Sequence, residues 1–175
     1  CLAIGGAGIP YAKPSHNGGA GDIAALGTEI LEHGVREPLA TADKYELYQH
    51  AVQSPDTDIE FLQRVYREIH NKDAQHFRED FCGTAILCAN WVKSDEACTA
   101  EGYDLDPEPV AWGREHNLKP LGDAVERVQL FLEDARSDGV RAPDVRIAQN
   151  FSYWIFKERA VLLDYFKKAH DSLAD

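Results

Sequence analysis

The spacing of apolar residues changes character once, near residue 73. Upstream, from Thr41, apolar positions recur at helical intervals, with Tyr45, Tyr48 and Val52 at i, i+3 and i+7. Pro55 is expected to break this first helix. Thr57 then opens a second helix, with Glu60 three residues on as a capping box. Ile59, Leu62, Val65, Tyr66 and Ile69 form its apolar stripe. After Asp73 short strands alternate with helices. Strands are predicted over 76–81, 99–104, 128–132 and 144–149, and helices over 84–92, 107–117 and 157–173. Asp106 can cap the helix at 107, and Pro107 suits its first position, where no amide is needed. Leu162, Phe166, Ala169 and Leu173 share one face of the last helix. The alternation predicts the α/β class, with a doubly wound parallel sheet, helices on both faces and two lid-like helices ahead of it. Arg146 fits poorly, because a central strand is apolar on both faces. Either its stem snorkels to the sheet end or that strand is exposed.

Composition narrows the class. One domain is expected for 175 residues. Residues 1–40 read as a Gly-rich leader, and 41–175 as the folded domain. The Gly5-Gly6-Ala7-Gly8 run lacks both a preceding strand and a following Lys-Ser/Thr, so it is not read as a phosphate loop. The chain starts with Cys, contains no Met and stops just after a helix, where a doubly wound sheet is expected to continue. A fragment lacking its C-terminal strands is the expectation. The balance of 18 basic against 30 acidic residues, a net −12, disfavours nucleic acid as a partner. Cys1, Cys82, Cys88 and Cys98 form no paired Cys-x-x-Cys motif, so the reading is buried small hydrophobes and no metal site. No apolar run is long enough for a membrane span and no signal peptide is evident, so a cytoplasmic protein is the default. Nothing in the chain indicates an oligomeric state.

Chemistry concentrates at the predicted strand ends. In Glu79-Asp80-Phe81-Cys82-Gly83-Thr84-Ala85 a strand runs into a tight turn at Gly83, and a helix is expected from Thr84. Glycine permits positive φ and close ligand approach, and the amides of 83–85 would face the ligand. Glu79 is an acid near the strand end that favours a cationic group, although it or Asp80 can equally be a solvated strand-end acid. About twenty residues on, Asp104 ends the second strand and can accept two hydrogen bonds from a ribose diol. Glu133-Asp134-Ala135 follows the third strand beside the same crevice, where an acid can accept from an adenine amino group. Gln149-Asn150-Phe151-Ser152-Tyr153-Trp154 follows the fourth, where Asn150 and Tyr153 can bind or orient an acceptor. Tyr153 and His116 are weak candidates for a base, should the acceptor need to lose a proton.

In order and spacing these four segments resemble the class I S-adenosylmethionine-dependent methyltransferases, over roughly residues 43 to 173. The resemblance implies a Rossmann-like fold, S-adenosyl-L-methionine as cofactor, and methyl transfer to a small-molecule or protein acceptor. Carried over by position, Glu79, Phe81, Cys82, Gly83 and Thr84 fall in the first motif, which holds the methionine part. Asp104, with Leu105, falls at the ribose acid, and Asp134 with Ala135 at the adenine side. Asn150 falls where the substrate-facing loop begins. The sequence departs from the family pattern at the turn: Phe81 and Ala85 stand where the outer two of three glycines are usual. Asn-Phe-Ser-Tyr is also not the Asn-Pro-Pro-Tyr of enzymes that methylate amino groups of nucleic acids. Two rivals share the fold. One is an NAD-dependent oxidoreductase, which wants Gly-x-Gly-x-x-Gly; the other is a non-catalytic nucleoside-binding or scaffold domain.

Overall fold

The computed structural model describes residues 43–174. Cys1, the Gly-rich leader and its Gly5–Gly8 run lie outside the described residues. In chain order the elements are α1 (Lys44–Val52), α2 (Pro55–His70), β1 (His76–Asp80), α3 (Ile86–Ser94), β2 (Thr99–Tyr103), α4 (Pro107–Gly113), β3 (Val128–Phe131), β4 (Val145–Ala148) and α5 (Arg159–Asp171). A π-type turn over Arg114–Leu118 and 3-10 turns over Lys119–Arg127 link α4 to β3. A further 3-10 turn, Ser152–Ile155, follows β4.

All strand pairs are parallel, in the order β3-β2-β1-β4. From β1 the chain winds outward through β2 and β3, then crosses back to place β4 on the other side of β1. The strand order therefore reverses between β1 and β4, and ligands of open α/β sheets bind at the carboxyl ends of strands flanking such a point.

Period-two alternation sends β1 side chains to opposite faces. Phe77 stacks on Trp91 of α3 at 4.8 Å between ring centroids. Ala100, Ile147, Cys88, Val92, Val110 and the α2 residues Ile59, Leu62 and Tyr66 complete a core on that face. Arg78 and Asp80 turn the other way, against Arg146 of β4 and Tyr165 of α5. Helices thus cover both faces, as expected.

Several sequence expectations are corrected in detail. Pro55 opens α2 at its first turn after Ser54, so Thr57 and Glu60 lie inside the helix and form no cap. A proline at that position loses no intrahelical bond. The helix predicted from Thr84 begins at Ile86, because Ala85 is in the left-handed region with φ 54. The helix predicted over 107–117 leaves α-geometry after Gly113, although Asp106 caps it through the Glu108 amide at 3.0 Å, as expected. Arg146 neither snorkels nor faces water; it is buried and ion-paired to Asp80 at 2.8 Å. Cys82, Cys88 and Cys98 are buried free thiols.

Candidate functional site

At the carboxyl edge, between β1 and β4, lies a cavity of about 450 Å³. The turn after β1 supplies Phe81, Cys82, Gly83 and Thr84, and Glu79 reaches it from the strand itself. Gln149, Asn150 and Ser152 come from the segment after β4, Asp106 and Pro109 from the start of α4, and Lys44, Tyr45, Tyr48 and Gln53 from α1 and its end.

The turn owes its path to three residues in the left-handed region: Phe81 (φ 59), Gly83 (φ 51) and Ala85 (φ 54). These are the three positions where the resemblance leads one to expect glycine. The backbone path therefore persists with a phenylalanine and an alanine in two of the three places, at a cost of about 1–2 kcal/mol each. Phe81 does not fill the cleft, since its ring packs against Phe156 and Tyr165 at 6.0 and 6.1 Å. At Gly83, its chain neighbours aside, nothing among the described residues lies within 4 Å of where a β-carbon would sit, which leaves its face open. Gly113 has the opposite reason to be glycine. A β-carbon there would stand 2.1 Å from the Thr84 carbonyl, so the end of α4 rests directly on the turn. Asn117 steadies the same carbonyl at 2.8 Å.

The acid at the end of β2 closes the arrangement. Asp104 accepts from the Gly83 amide at 2.8 Å through one oxygen and from the Asp106 amide at 2.9 Å through the other. Each carboxylate oxygen keeps a second acceptor site. Two of the turn amides expected to face a ligand are in fact used internally: that of Gly83 by Asp104, and that of Ala85 by the Cys82 carbonyl at 2.7 Å. The turn presents an open α-carbon rather than a nest of amides.

Glu79 is 2% exposed and is no solvated strand-end acid. Burial pushes its carboxyl up to about 8, offset in part by a bond from the Cys88 thiol at 3.3 Å, with Asp104 and Asp80 adding like-charge repulsion. A cation entering the cavity would find a carboxyl ready to ionise against it. Burial likewise pushes the Cys82 and Cys88 thiols up, so neither is a thiolate nucleophile.

Helix α1 roofs the cavity and is tied down along its length. Asp43 caps it and accepts from Trp112 Nε1 at 2.7 Å. Lys44 pairs with Glu108 at 2.5 Å, Gln49 donates to Thr84 Oγ1 at 2.7 Å, and Asn150 donates to Tyr48 OH at 3.0 Å. Asn150 itself has φ 54, which turns the chain back over the cleft after β4. Of the two lid-like helices expected, α1 takes this position, whereas α2 packs into the core.

The other expected residues are placed less centrally. Leu105 is 65% exposed beyond the acid, and Leu132, which sequence reasoning missed, is 54% exposed just past the end of β3. The two leave an apolar margin on the carboxyl edge. Asp134 is held by a two-pronged ion pair with Arg136, at 2.9 and 2.7 Å, which lowers its carboxyl to about 2. Ala135 is buried beside it. Glu133 is exposed. Tyr153 packs edge-on to Phe166 and His116 stacks on Trp112 at 4.1 Å; neither lines the cavity. Gly113, Asn117, Gln49 and Tyr48 also escaped sequence reasoning, because each acts through a partner distant in the chain.

No family model and no curated protein matches the chain. Solved structures do. CalS10, an S-adenosylmethionine-bound amino pentose methyltransferase from Micromonospora echinaspora, is similar with a TM-score of 0.60 at 19% identity, over 80% of this chain and 55% of that one. The sugar N-methyltransferase KedS8 from Streptoalloteichus sp. ATCC 53650 gives 0.58 at 20% identity, over 75% and 50%. The plantazolicin methyltransferase BpumL, in complex with S-adenosylhomocysteine, gives 0.59 at 14% identity, over 88% and 57%. The chain thus spans about half the length of the solved proteins it matches. At these identities the likeness shows the fold, which is that of the class I S-adenosylmethionine-dependent methyltransferases. Among the described residues no helix is long and apolar enough to cross a membrane.

Proposed function

We propose that this domain binds S-adenosyl-L-methionine at the carboxyl edge of its sheet and that the protein transfers the methyl group to a small-molecule or protein acceptor. The observation that carries the reading is the 2.8 Å bond between the Gly83 amide and Asp104, which ties the strand-end acid to the turn that lines the cavity. In this reading Asp104 accepts from the ribose hydroxyls through its remaining lone pairs. Leu105 and Leu132 flank the adenine. The methionine part passes the open face of Gly83, and Glu79 ionises against its cationic charge. Asn150, Tyr48 and Ser152 line the region where an acceptor would meet the methyl group.

The chemistry asks little of side chains as acids or bases. The acceptor's lone pair attacks the sulfonium methyl carbon as the carbon–sulfur bond breaks, leaving a neutral thioether. Holding the two reactants in line supplies on the order of 7–11 kcal/mol in favourable cases. CalS10 is bound to S-adenosylmethionine and BpumL to S-adenosylhomocysteine, and CalS10 and KedS8 are sugar methyltransferases, which supports the reading. The NAD reading has no support in the turn, which offers one open glycine and internally used amides.

Calorimetric titration with S-adenosylhomocysteine and with NAD tests this. Saturable binding of the homocysteine compound with none of NAD is expected. The reverse pattern would remove the proposal.

A further inference from the structure

Between α1 and the segment after β4 the cavity is lined by neutral polar side chains: Tyr48, Gln53, Gln149, Asn150 and Ser152. Their internal hydrogen bonds leave oxygens over. Asn150 donates its Nδ2 to Tyr48 OH at 3.0 Å and keeps Oδ1 as an acceptor. Ser152 Oγ gives its proton to the Gln149 carbonyl at 2.9 Å, so toward anything else it can only accept. Gln53, the residue that ends α1, has a buried Oε1 that takes no hydrogen bond from any described residue. A buried amide oxygen left unpaired is destabilising, so this one is best explained by a donor that arrives with a ligand.

The kind of donor follows from charge and from the proton. As an acceptor atom attacks the sulfonium methyl, positive charge passes from sulfur to that atom. A hydroxyl acceptor must also give up its proton, which calls for a general base within reach. Among the described residues that line the cavity there is no histidine, and in the reading above Glu79 answers the cofactor's own cation. Burial pushes the Tyr45 hydroxyl and the Cys82 thiol up, and Lys44 is paired with Glu108. An amine needs no base. Its free form is supplied by equilibrium with the ammonium ion in solvent, and its nitrogen attacks with its own lone pair. The nitrogen–carbon bond forms as the carbon–sulfur bond breaks, the electron pair passes to sulfur, and the methylated ammonium product gives its proton to water. Its N–H groups become stronger donors as the charge grows, so oxygen acceptors hold the transition state more tightly than the ground state. A net charge of −12 also draws a cationic amine toward the protein in preference to a neutral hydroxyl compound.

We infer that the methyl acceptor is a primary or secondary amine, and that Gln53 is a specificity residue that accepts one of its N–H groups through Oε1. Asn150 Oδ1 and Ser152 Oγ supply further acceptors. This rests on the S-adenosylmethionine reading above and adds to it the class of acceptor.

The test titrates cyclohexylammonium and cyclohexanol, which share a shape, into wild type saturated with S-adenosylhomocysteine. The homocysteine compound keeps the cofactor's place and engages Glu79, and the ammonium stands for the charged nitrogen of the transition state. Ligand-detected NMR is expected to show the ammonium bound about 10-fold or more tightly than the alcohol. In Gln53→Leu that preference is expected to fall to about 3-fold or less, while affinity for S-adenosylhomocysteine stays within about 2-fold of wild type. Equal binding of the two probes, no binding of the ammonium, or a preference that Gln53→Leu leaves unchanged overturns the inference. Ser152→Ala covers the case in which the leucine variant does not fold. Its preference is expected between those two values, and a wild-type ratio there overturns the inference. A wild type that binds S-adenosylhomocysteine without preferring the ammonium overturns the amine assignment alone. One that does not bind S-adenosylhomocysteine overturns the cofactor reading, and the amine assignment with it.

Discussion

Glu79 and Asp80 are neighbours in one strand, and their fates differ because they face opposite sides of the sheet. Glu79 shares a side with Phe77, Cys88 and the apolar core, and no cation among the described residues pairs with it. Its carboxyl is pushed up to about 8. Asp80 stands between two arginines and a tyrosine hydroxyl, and its charge is matched by hydrogen bonds on both oxygens. One face is thus built from many small contacts that add roughly with area. The other is an interlocked polar set in which each member needs the rest. Of the two acids, Glu79 alone lines the candidate cavity.

The largest expected effects probe each face by its own logic. Trp91→Ala removes a fully buried indole from the apolar face and is expected to cost about 3–5 kcal/mol in denaturant unfolding. Asp80→Ala is expected to cost as much by a different route, leaving Arg146 without its anion and Arg78 with only Glu101 at 3.9 Å. The contrast sharpens in the combined variant Arg78→Met, Asp80→Leu and Arg146→Met. This is expected to recover most of that loss, because both guanidinium groups leave together with their carboxylate, while buried Glu101 gives up Arg78 at 3.9 Å and keeps His76 at 3.8 Å. If the triple variant is as unstable as Asp80→Ala, the polar face stabilises the fold in its own right and the comparison fails.

Next in size is Glu79→Gln. A carboxyl raised from 4.5 to about 8 in the folded state contributes stability that is fully present below pH 4.5 and is lost as pH rises through 8. The glutamine variant is therefore expected to match wild type near pH 4.5 and to exceed it by on the order of 2–4 kcal/mol above pH 8. For a permanently cationic ligand the sign is opposite. Wild-type affinity is expected to rise with pH up to about 8, and the glutamine variant is expected to lose that dependence. A variant whose stability and binding follow the wild-type pH profile would show that Glu79 does not titrate there.

The smallest effect tests the turn. Ala85 holds φ 54 with its methyl fully buried, so Ala85→Gly exchanges a strained conformation against a small loss of packing. A net stabilisation of about 0.5–1 kcal/mol is expected, read as a higher unfolding midpoint. Destabilisation would mean that the methyl, not the backbone path, decides this residue.

Alternation of strand and helix made the α/β class legible in the sequence, and strand ends were placed to within a residue or two. The Gly83–Asp104 pair was legible because a turn glycine and a strand-end acid one helix apart leave a local signature. Helix starts were less legible. Nothing in Cys-Gly-Thr-Ala announces that Ala85 adopts positive φ, and a proline such as Pro55 can end one helix or begin the next. The polar face was not legible, because Arg78, Asp80, Arg146 and Tyr165 come from three elements and meet only in space. Arg146 was seen as an anomaly in an apolar strand, and the anomaly was the trace of that network.

In the proposed function the acid at the end of β2 holds the ribose of an adenosine cofactor. Titrating S-adenosylhomocysteine into wild type and Asp104→Ala tests it most directly. Losing two hydrogen bonds to a charged acceptor predicts an affinity drop of about 100-fold or more, with the protein still folded by circular dichroism. Equal affinity in the two proteins would contradict the claim.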